Sequence, residues 1–450
     1  MKFTLLGVAT AILLSVFSAA LDRQPSSDYH ARRQKLAAEL SGGVALVFAP
    51  PESEGPNDLY GYRPDDNFYY LTGWPEPGSA LLIASASDAR PYSEILFLPD
   101  RNPTQERWTG PKLGPEDQKA SQVIGVDRVD SLEHMRAELV KLLPNRGAKI
   151  YTDIPAGNET TNSGQPLAWL RTANAFPVGT SYDDIRPLLS RLRTVKDAGE
   201  LELITKAVNA SIAAQLAAIR AIRPGITERE LSALLQYEWG KRGCERPAYA
   251  PIVGSGFHST VLHYSDDSGT VHAGDLVLMD AAGEYSLYAS DITRTTPADG
   301  KFSARQREIY DIVLGAQKAA IAAFQSGKSY LQRNQPNTLY DAAFNYINTH
   351  GKDTHGQPLG KYFIHGLGHY VGLNVHDPGD YSGPLGPGMV FTLEPGIYIP
   401  EENLGVRIED MFYVDKDGKL IRLTEPLPQS ADEIEKLMAH GSAEPNSIGH

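Results

Sequence analysis

Leu276-Val277-Leu278-Met279-Asp280-Ala281-Ala282-Gly283-Glu284-Tyr285-Ser286-Leu287-Tyr288-Ala289-Ser290-Asp291-Ile292-Thr293-Arg294-Thr295 is the stretch on which the rest of the chain turns. Its apolar run ends on Asp280, and a second aspartate opens Asp291-Ile292-Thr293-Arg294-Thr295. A turn centred on Tyr285-Ser286 pairs the two segments as a hairpin and sets Asp280 opposite Asp291. Residues opposed across paired strands have Cβ atoms about 4.5–5.5 Å apart, where like charges repel. Either both aspartates are solvated in turns, or a cation sits between them.

The pattern recurs nearer the C-terminus. Met389–Ile399 and Val406–Tyr413 read as strands joined by a turn at Glu401-Glu402-Asn403, which brings Glu394 near Glu409. An inward carboxylate on an apolar strand costs stability unless its charge is neutralised. Histidines lie in Val261-Leu262-His263-Tyr264, His365-Gly366-Leu367-Gly368-His369 and Val375-His376-Asp377. The His365–His369 spacing lacks the Glu of a His-Glu-x-x-His zinc helix, and its two glycines argue against a helix. Four carboxylates and one imidazole form an oxygen-rich set that suits a hard divalent cation such as Mn²⁺ better than a structural zinc. Four negative charges balance two such ions, and metals about 3.5–4 Å apart can activate water and polarise a carbonyl. The chemistry indicated is metal-assisted hydrolysis.

At 450 residues the chain is too long for one core, so two or three domains are expected. Hydrophobic content of 41% and charged content of 22% are ordinary for a soluble protein. A net charge of -13 and the lack of a basic run argue against a nucleic-acid partner. Cys244 is the only cysteine, which excludes an intrachain disulfide and a thiolate zinc cluster. It reads as a small core residue rather than a nucleophile. Lys2, the apolar run Phe3 to Phe17 and Ser18-Ala19-Ala20 have the order of a secretory signal cleaved after Ala20. The run is short for a membrane span, which needs about 20 residues. No other segment is long and apolar enough to span, so the mature protein is expected in a periplasm or outside the cell.

The chain divides at about residues 185–195. Residues 21–190 read as a mixed α/β domain. Its expected helices are Tyr29–Leu40 and Glu133–Leu143, and its expected strands are Val44–Phe48, Phe68–Leu71, Ala80–Ala84, Glu94–Leu98 and Lys149–Thr152. Tyr60, Tyr62, Phe68, Tyr69, Tyr70 and Trp74 are expected to pack in core and loops, with a share in walling an active site as the alternative. From Glu200, apolar residues recur at three- and four-residue steps as far as Ile222, an amphipathic helix ended by Pro224-Gly225. Thr227 to Glu230 and Ser303 to Gln306 are capping boxes that open helices to about Gly240 and Phe324. Strands are expected at Ala250–Val253 and Leu276–Met279, and further helices at Thr338–Thr349 and Ala431–Ala439. Residues 191–440 form the second domain and 441–450 a disordered tail.

With these residues in place, the sequence resembles the proline-specific metallopeptidases of the pita-bread fold, the aminopeptidase P and prolidase group. In the second half the resemblance rests on Ile252-Val253-Gly254-Ser255-Gly256, Leu262-His263-Tyr264, Asp280 with Asp291–Thr295, His365–His369, Val375-His376-Asp377, Glu394-Pro395-Gly396 and Arg407-Ile408-Glu409-Asp410. In the first half, Asp66–Gly73 and Leu96–Arg101 through Glu106–Gly110 are similar to the N-terminal domain of aminopeptidase P. Methionine aminopeptidases lack that domain, and creatinases lack the metal ligands, all of which are present here. The resemblance implies an α/β (α+β) chain with a mixed N-terminal domain followed by a pita-bread catalytic domain. It implies that Asp280, Asp291, His369, Glu394 and Glu409 ligate two divalent ions, most readily Mn²⁺, with Asp291 and Glu409 bridging them. A bridging hydroxide would attack an Xaa-Pro bond and Glu394 would pass the proton. His263, His365 and His376 would position substrate and stabilise the oxyanion, with Arg407 and Tyr249 supporting the ligands. A neighbouring subunit often completes the pocket in this group, so a dimer or tetramer is expected. The activity implied is that of an exported aminopeptidase P acting on peptides with proline in second position. A prolidase confined to Xaa-Pro dipeptides, and a non-catalytic binding module on the same fold, are the alternatives.

Overall fold

Residues 21–52, 60–87, 90–154, 169–170 and 176–441 are described by a computed structural model. The expected signal peptide, and the expected tail beyond Gly441, lie outside the described residues.

Val44–Phe48 (β1), Ala80–Ala84 (β2), Ser93–Leu98 (β3), Arg128–Ser131 (β4), Lys149–Thr152 (β5) and Ser181–Asp184 (β6) form one sheet in the order β4-β3-β2-β1-β5-β6. The central pairings β1–β2 and β2–β3 are antiparallel, and the outer three are parallel. Every residue of β2 is buried, which is why it reads as an unbroken apolar run rather than an alternation.

Phe68–Leu71 is not the expected strand. It lies in a helix, Asp66–Thr72. The Asp65 carboxylate caps its first turn by accepting from Phe68 N, and Gly73 ends it in the left-handed conformation (φ 59°). Gly73 is also needed for space, since a Cβ there would overlap the Tyr29 ring. Phe68, Tyr69, Tyr70 and Trp74 are buried, and none of them lines the metal-type cavity described below.

Three capping boxes open the long helices of the second half: Asp197 with Glu200 before Ala198–Ala221, Thr227 with Glu230 before Glu228–Gly240, and Ser303 with Gln306 before Ala304–Ala323. Each cap stabilises its helix by about 1 kcal/mol. The remaining expected helices form at Leu339–His350 and Ala431–Gly441.

Small strands lie between these helices. Ile252–Ser255 (β8), Leu276–Asp280 (β9) and Thr293–Pro297 (β12) make one sheet. Arg246–Pro247 (β7), Gly283–Tyr285 (β10) and Tyr288–Ala289 (β11) make another. Val390–Leu393 (β13), Asp410–Val414 (β16) and Leu420–Arg422 (β17) form a third, beside the pair Gly396–Ile399 (β14) and Leu404–Arg407 (β15). Among the described residues, no helix is long and apolar enough to cross a membrane.

Candidate metal centre

Asp280 ends β9, and Asp291 lies just before β12. The β9–β12 ladder pairs Asp280 with Thr293, not with Asp291, and β10–β11 continues the register with Tyr285 opposite Tyr288. The turn is therefore centred on Ser286-Leu287, and the expected pairing was off by two residues. A two-residue hairpin turn of this hand needs positive φ at both central positions. Ser286 (φ 49°) and Leu287 (φ 69°) supply them. Their strain is offset by burial of Leu287 and by hydrogen bonds to Ser286 from Asp22 N (2.8 Å, to Oγ) and from Ser286 N to Glu245 Oε2 (2.9 Å). A two-residue offset keeps the side-chain face, so Asp280 and Asp291 still converge, as diagonal rather than direct neighbours.

Glu394 and Glu409 meet as expected. β13–β16 and β14–β15 share one register, with Leu393 opposite Asp410 and Gly396 opposite Arg407, which sets Glu394 across from Glu409 in the gap between the ladders. Pro400–Glu402 and Asn403 (φ 50°) make the turn.

Each hairpin has a break at its carboxylates, and a buried glutamine closes each break. Gln215, on the Ala198–Ala221 helix, donates from Nε2 to the carbonyls of Ala281 (3.1 Å) and Ile292 (3.2 Å). Gln317, on the Ala304–Ala323 helix, donates likewise to Leu393 (2.9 Å) and Ile408 (3.3 Å). Neither glutamine stood out in the sequence. The only available signal was a polar residue on the apolar face of a helix.

His369 sits on a loop pressed against β13. Thr392 N donates to its carbonyl (2.9 Å), and its own N–H donates to Thr392 Oγ1 (3.1 Å). As expected, no helix forms across His365–His369. The His369 Nδ1–H donates to the Tyr370 carbonyl (3.1 Å), which aims Nε2 at Asp291 Oδ2 (3.3 Å) and Glu394 Oε1 (3.5 Å). Donor atoms of Asp291, His369 and Glu409 lie within 4.8 Å of one another. Tyr249 OH is 2.6 Å from both Asp280 Oδ1 and Asp291 Oδ1. Arg407 donates from Nη2 to Asp280 Oδ2 (2.7 Å) and from Nη1 to Tyr398 OH (2.7 Å). With that hydroxyl accepting from Arg407, its proton is donated to His365 Nε2 (2.9 Å), while His365 Nδ1–H donates to the Gly366 carbonyl (2.8 Å). Both ring nitrogens of His365 are thereby engaged. His263 and His376 have no side-chain hydrogen bond among the described residues, and the His376 ring lies edge-on to His369 at 4.3 Å.

Tyr398 was missed in the sequence. It was within reach of strand alternation, because Glu394, Gly396 and Tyr398 share a face at period two. Gly396 makes room for it, since a Cβ there would lie 2.7 Å from Tyr398 Cζ.

All ten residues proposed from sequence line one cavity of about 660 Å³: the five candidate ligands, His263, His365 and His376, and Tyr249 with Arg407. Leu262, Val375 and Tyr381 give the same cavity an apolar wall. Burial, then repulsion from Asp291, Glu394 and Asp280, pushes the Glu409 carboxyl well above the carboxylate range. Burial, with repulsion from Asp291 and Asp280, lifts Glu394 to about 7 against the pull of His369 and Arg407. Burial opposes protonation of His369, but its hydrogen bond to Asp291 and the charge of Glu394 outweigh this and raise it to about 9. Glu409 Oε1 is buried without a hydrogen-bond partner among the described residues. A carboxylate set that repels itself, an orphaned oxygen and an imidazole nitrogen aimed inward all fit divalent cations.

Two family descriptions match the chain: metallopeptidase family M24 over residues 202–416, and the N-terminal domain of aminopeptidase P over residues 29–151. The Xaa-Pro aminopeptidase of Haemophilus influenzae is 34% identical over 93% of this chain and 99% of its own length. Human Xaa-Pro aminopeptidase 3 is 33% identical over 91% of this chain and 84% of its own. Among solved structures, aminopeptidase P from Escherichia coli with the inhibitor Pro-Leu superposes with a TM-score of 0.81 at 31% identity, covering 94% of this chain and 100% of that one. Proline aminopeptidase P II from Yersinia pestis gives 0.80 at 32%, covering 93% and 100%.

Proposed function

The chain belongs to metallopeptidase family M24, in its aminopeptidase P group, and is a hydrolase; on that footing we propose that it releases the N-terminal residue from peptides whose second residue is proline. The observation that carries this reading is the convergence of four carboxylates and His369 in one cavity, beside an apolar wall of Leu262, Val375 and Tyr381. A whole-length likeness to Xaa-Pro aminopeptidases, N-terminal domain included, supports it.

Asp280, Asp291, His369, Glu394 and Glu409 would hold two divalent ions, most readily Mn²⁺, which when bound activate water and polarise the scissile carbonyl. The chain's own groups do the rest. Leu262, Val375 and Tyr381 exclude water around the proline ring. His263 and His376, with free ring nitrogens, offer N–H donors to the carbonyl oxygen as charge develops on it. Glu394, 3.5 Å from His369 and 3.9 Å from His365, is placed to take a proton from the attacking water and return it to the leaving proline nitrogen. Tyr249 and the Arg407–Tyr398–His365 chain keep Asp280, Asp291 and the His365 loop in place.

Export through the Lys2–Ala20 leader and assembly into a dimer or tetramer belong to the same proposal; cell fractionation and sedimentation test them. The central test is Asp291→Asn, with metal analysis and a panel of Xaa-Pro and Xaa-Pro-Xaa peptides. The variant should lose metal and tripeptide cleavage together, and retention of both refutes the site. Turnover of dipeptides alone by the unmodified enzyme would make it a prolidase. No turnover of any peptide after Mn²⁺ loading would make it a non-catalytic binder.

A further inference from the structure

His263 is exposed at the cavity and makes no side-chain hydrogen bond among the described residues. Its place is therefore inherited from the loop that carries it. That loop, residues 255–269, leaves β8 and returns beside the start of the Glu228–Gly240 helix. Backbone bonds bring the two together: Glu228 N donates to Gly269 O (3.0 Å), and Val271 N to Ile226 O (2.9 Å).

Glu228 occupies the first turn of that helix, where an acidic side chain is ordinarily solvated and favoured by the helix dipole. Here it is fully buried, and the loop supplies all the donors found around it. Oε1 accepts from Ser255 N (2.8 Å), Ser255 Oγ (2.9 Å) and His258 Nδ1 (2.9 Å). Oε2 accepts from Tyr264 OH (2.8 Å) and Gly269 N (2.6 Å). The His258 and Tyr264 rings stack at 4.2 Å. The next residue on the same turn adds to the contact. Arg229 donates to the Asp266 carbonyl (2.9 Å), and the loop turns at Asp267, which takes a positive φ of 46° and accepts on Oδ1 from Val253 N (3.2 Å). One carboxylate thus gathers both ends of the loop and the residue next to His263.

We propose that Glu228 is a positioning residue for the reaction, holding the 255–269 loop so that His263 faces the scissile bond. The proposal rests on the reading of the cavity as a peptidase site. Burial of an acceptor-only group among five donors argues for a clamp rather than a surface cap, because each donor would be stranded if the carboxylate left. An amide in its place presents an NH₂ to donors and cannot accept from all five.

Glu228→Gln separates this role from a general structural one through a double-mutant cycle with His263→Ala. In the otherwise unmodified enzyme, Glu228→Gln should lower kcat/KM on an Xaa-Pro-Xaa peptide by on the order of ten- to a hundredfold, with metal content unchanged. In the His263→Ala background the same change should cost less than about twofold. An equal loss in both backgrounds, or no loss in either, overturns the proposal. Hydrogen exchange gives a readout independent of activity. The Ser255 and Gly269 amides, which bond the carboxylate directly, should exchange faster in the variant, and unchanged exchange refutes the clamp even if the chain cleaves no peptide. Should Glu228→Gln fail to fold, Tyr264→Phe removes a single bond and is expected to show the same pattern at smaller size.

Discussion

Gly366 and Gly368 flank one leucine in the His365–His369 loop, yet a methyl group meets different surroundings at each. At Gly366 nothing lies within 4 Å of an added Cβ. At Gly368 the Cβ would overlap the Thr392 carbonyl oxygen and stand 2.8 Å from the Thr392 carbonyl carbon and 3.0 Å from its Oγ1. Non-bonded carbons prefer about 3.5–4.0 Å, so the two backbones must part by roughly 1 Å. Thr392 belongs to β13, which is paired with β16, so it is the loop that yields. His369 moves with it, away from Asp291 and Glu394, and the two bonds that tie it to Thr392 lengthen. Overpacking of this kind costs about 1–3 kcal/mol, and a displacement of about 1 Å at a reacting centre costs on the order of a hundredfold in rate. Gly368→Ala should therefore bind metal weakly and cleave an Xaa-Pro-Xaa tripeptide about a hundredfold more slowly. Gly366→Ala should stay within about threefold of the unmodified enzyme, because its methyl group has room. Elemental analysis and initial rates on the two purified variants decide it. Equal effects from both, or a Gly368→Ala enzyme with full metal and turnover, would refute the reasoning.

Asp377, beside His376, is buried between Arg193 Nη2 (2.5 Å) and Lys196 Nζ (2.8 Å), both also buried. Asp377→Ala leaves the buried Lys196 with no carboxylate and Arg193 with only Asp66 (3.4 Å) and the Asn67 side-chain oxygen (2.8 Å), at a cost of about 3–5 kcal/mol, so the midpoint of thermal unfolding should fall; an unchanged midpoint would show that the triad contributes nothing. Burial, aided by repulsion from Glu284, lifts the Glu245 carboxyl to about 7. The folded chain then keeps a proton that the unfolded chain releases near pH ~4.3, so this group withdraws stability as pH rises from about 4.3 to 7. Glu245→Gln should stabilise the protein at pH 8 by about 1–3 kcal/mol, allowing for partial exposure, and by much less at pH 5. Denaturant titrations giving equal shifts at both pH values would count against it.

What could be read from sequence were the features written locally. Val44–Phe48, Ala80–Ala84 and Lys149–Thr152 form at their expected bounds, and the Thr227 and Ser303 caps mark their helix starts. Phe68–Leu71 misled because four apolar residues carry no period. The flanking Asp65 and Gly73, a cap at either end, were the better signal. The Glu394–Glu409 pairing was legible because Asn403 ends the turn that sets its register, whereas Ser286-Leu287 is a turn with neither Asn nor Gly at its centre. Glu228 shows the limit. Its position predicts a solvated first-turn acid, and only the return of a loop some forty residues later buries it. In the Arg407–Tyr398–His365 chain, alternation along the strand could place Tyr398 on the face of Glu394, but the approach of the His365 loop to that face is a tertiary contact that no spacing announces.

The Asp280 hairpin runs in one register from base to tip, and this restricts how its length can vary. Insertion or loss of one residue between Asp280 and Asp291 would rotate every later side chain to the opposite face and carry Asp291 out of the cavity. One residue added to or removed from each arm leaves Asp280 across from Thr293. Length variation in this stretch, whether inherited or introduced by grafting, is thus expected in matched pairs, with single-residue insertions abolishing metal binding while the rest of the fold persists.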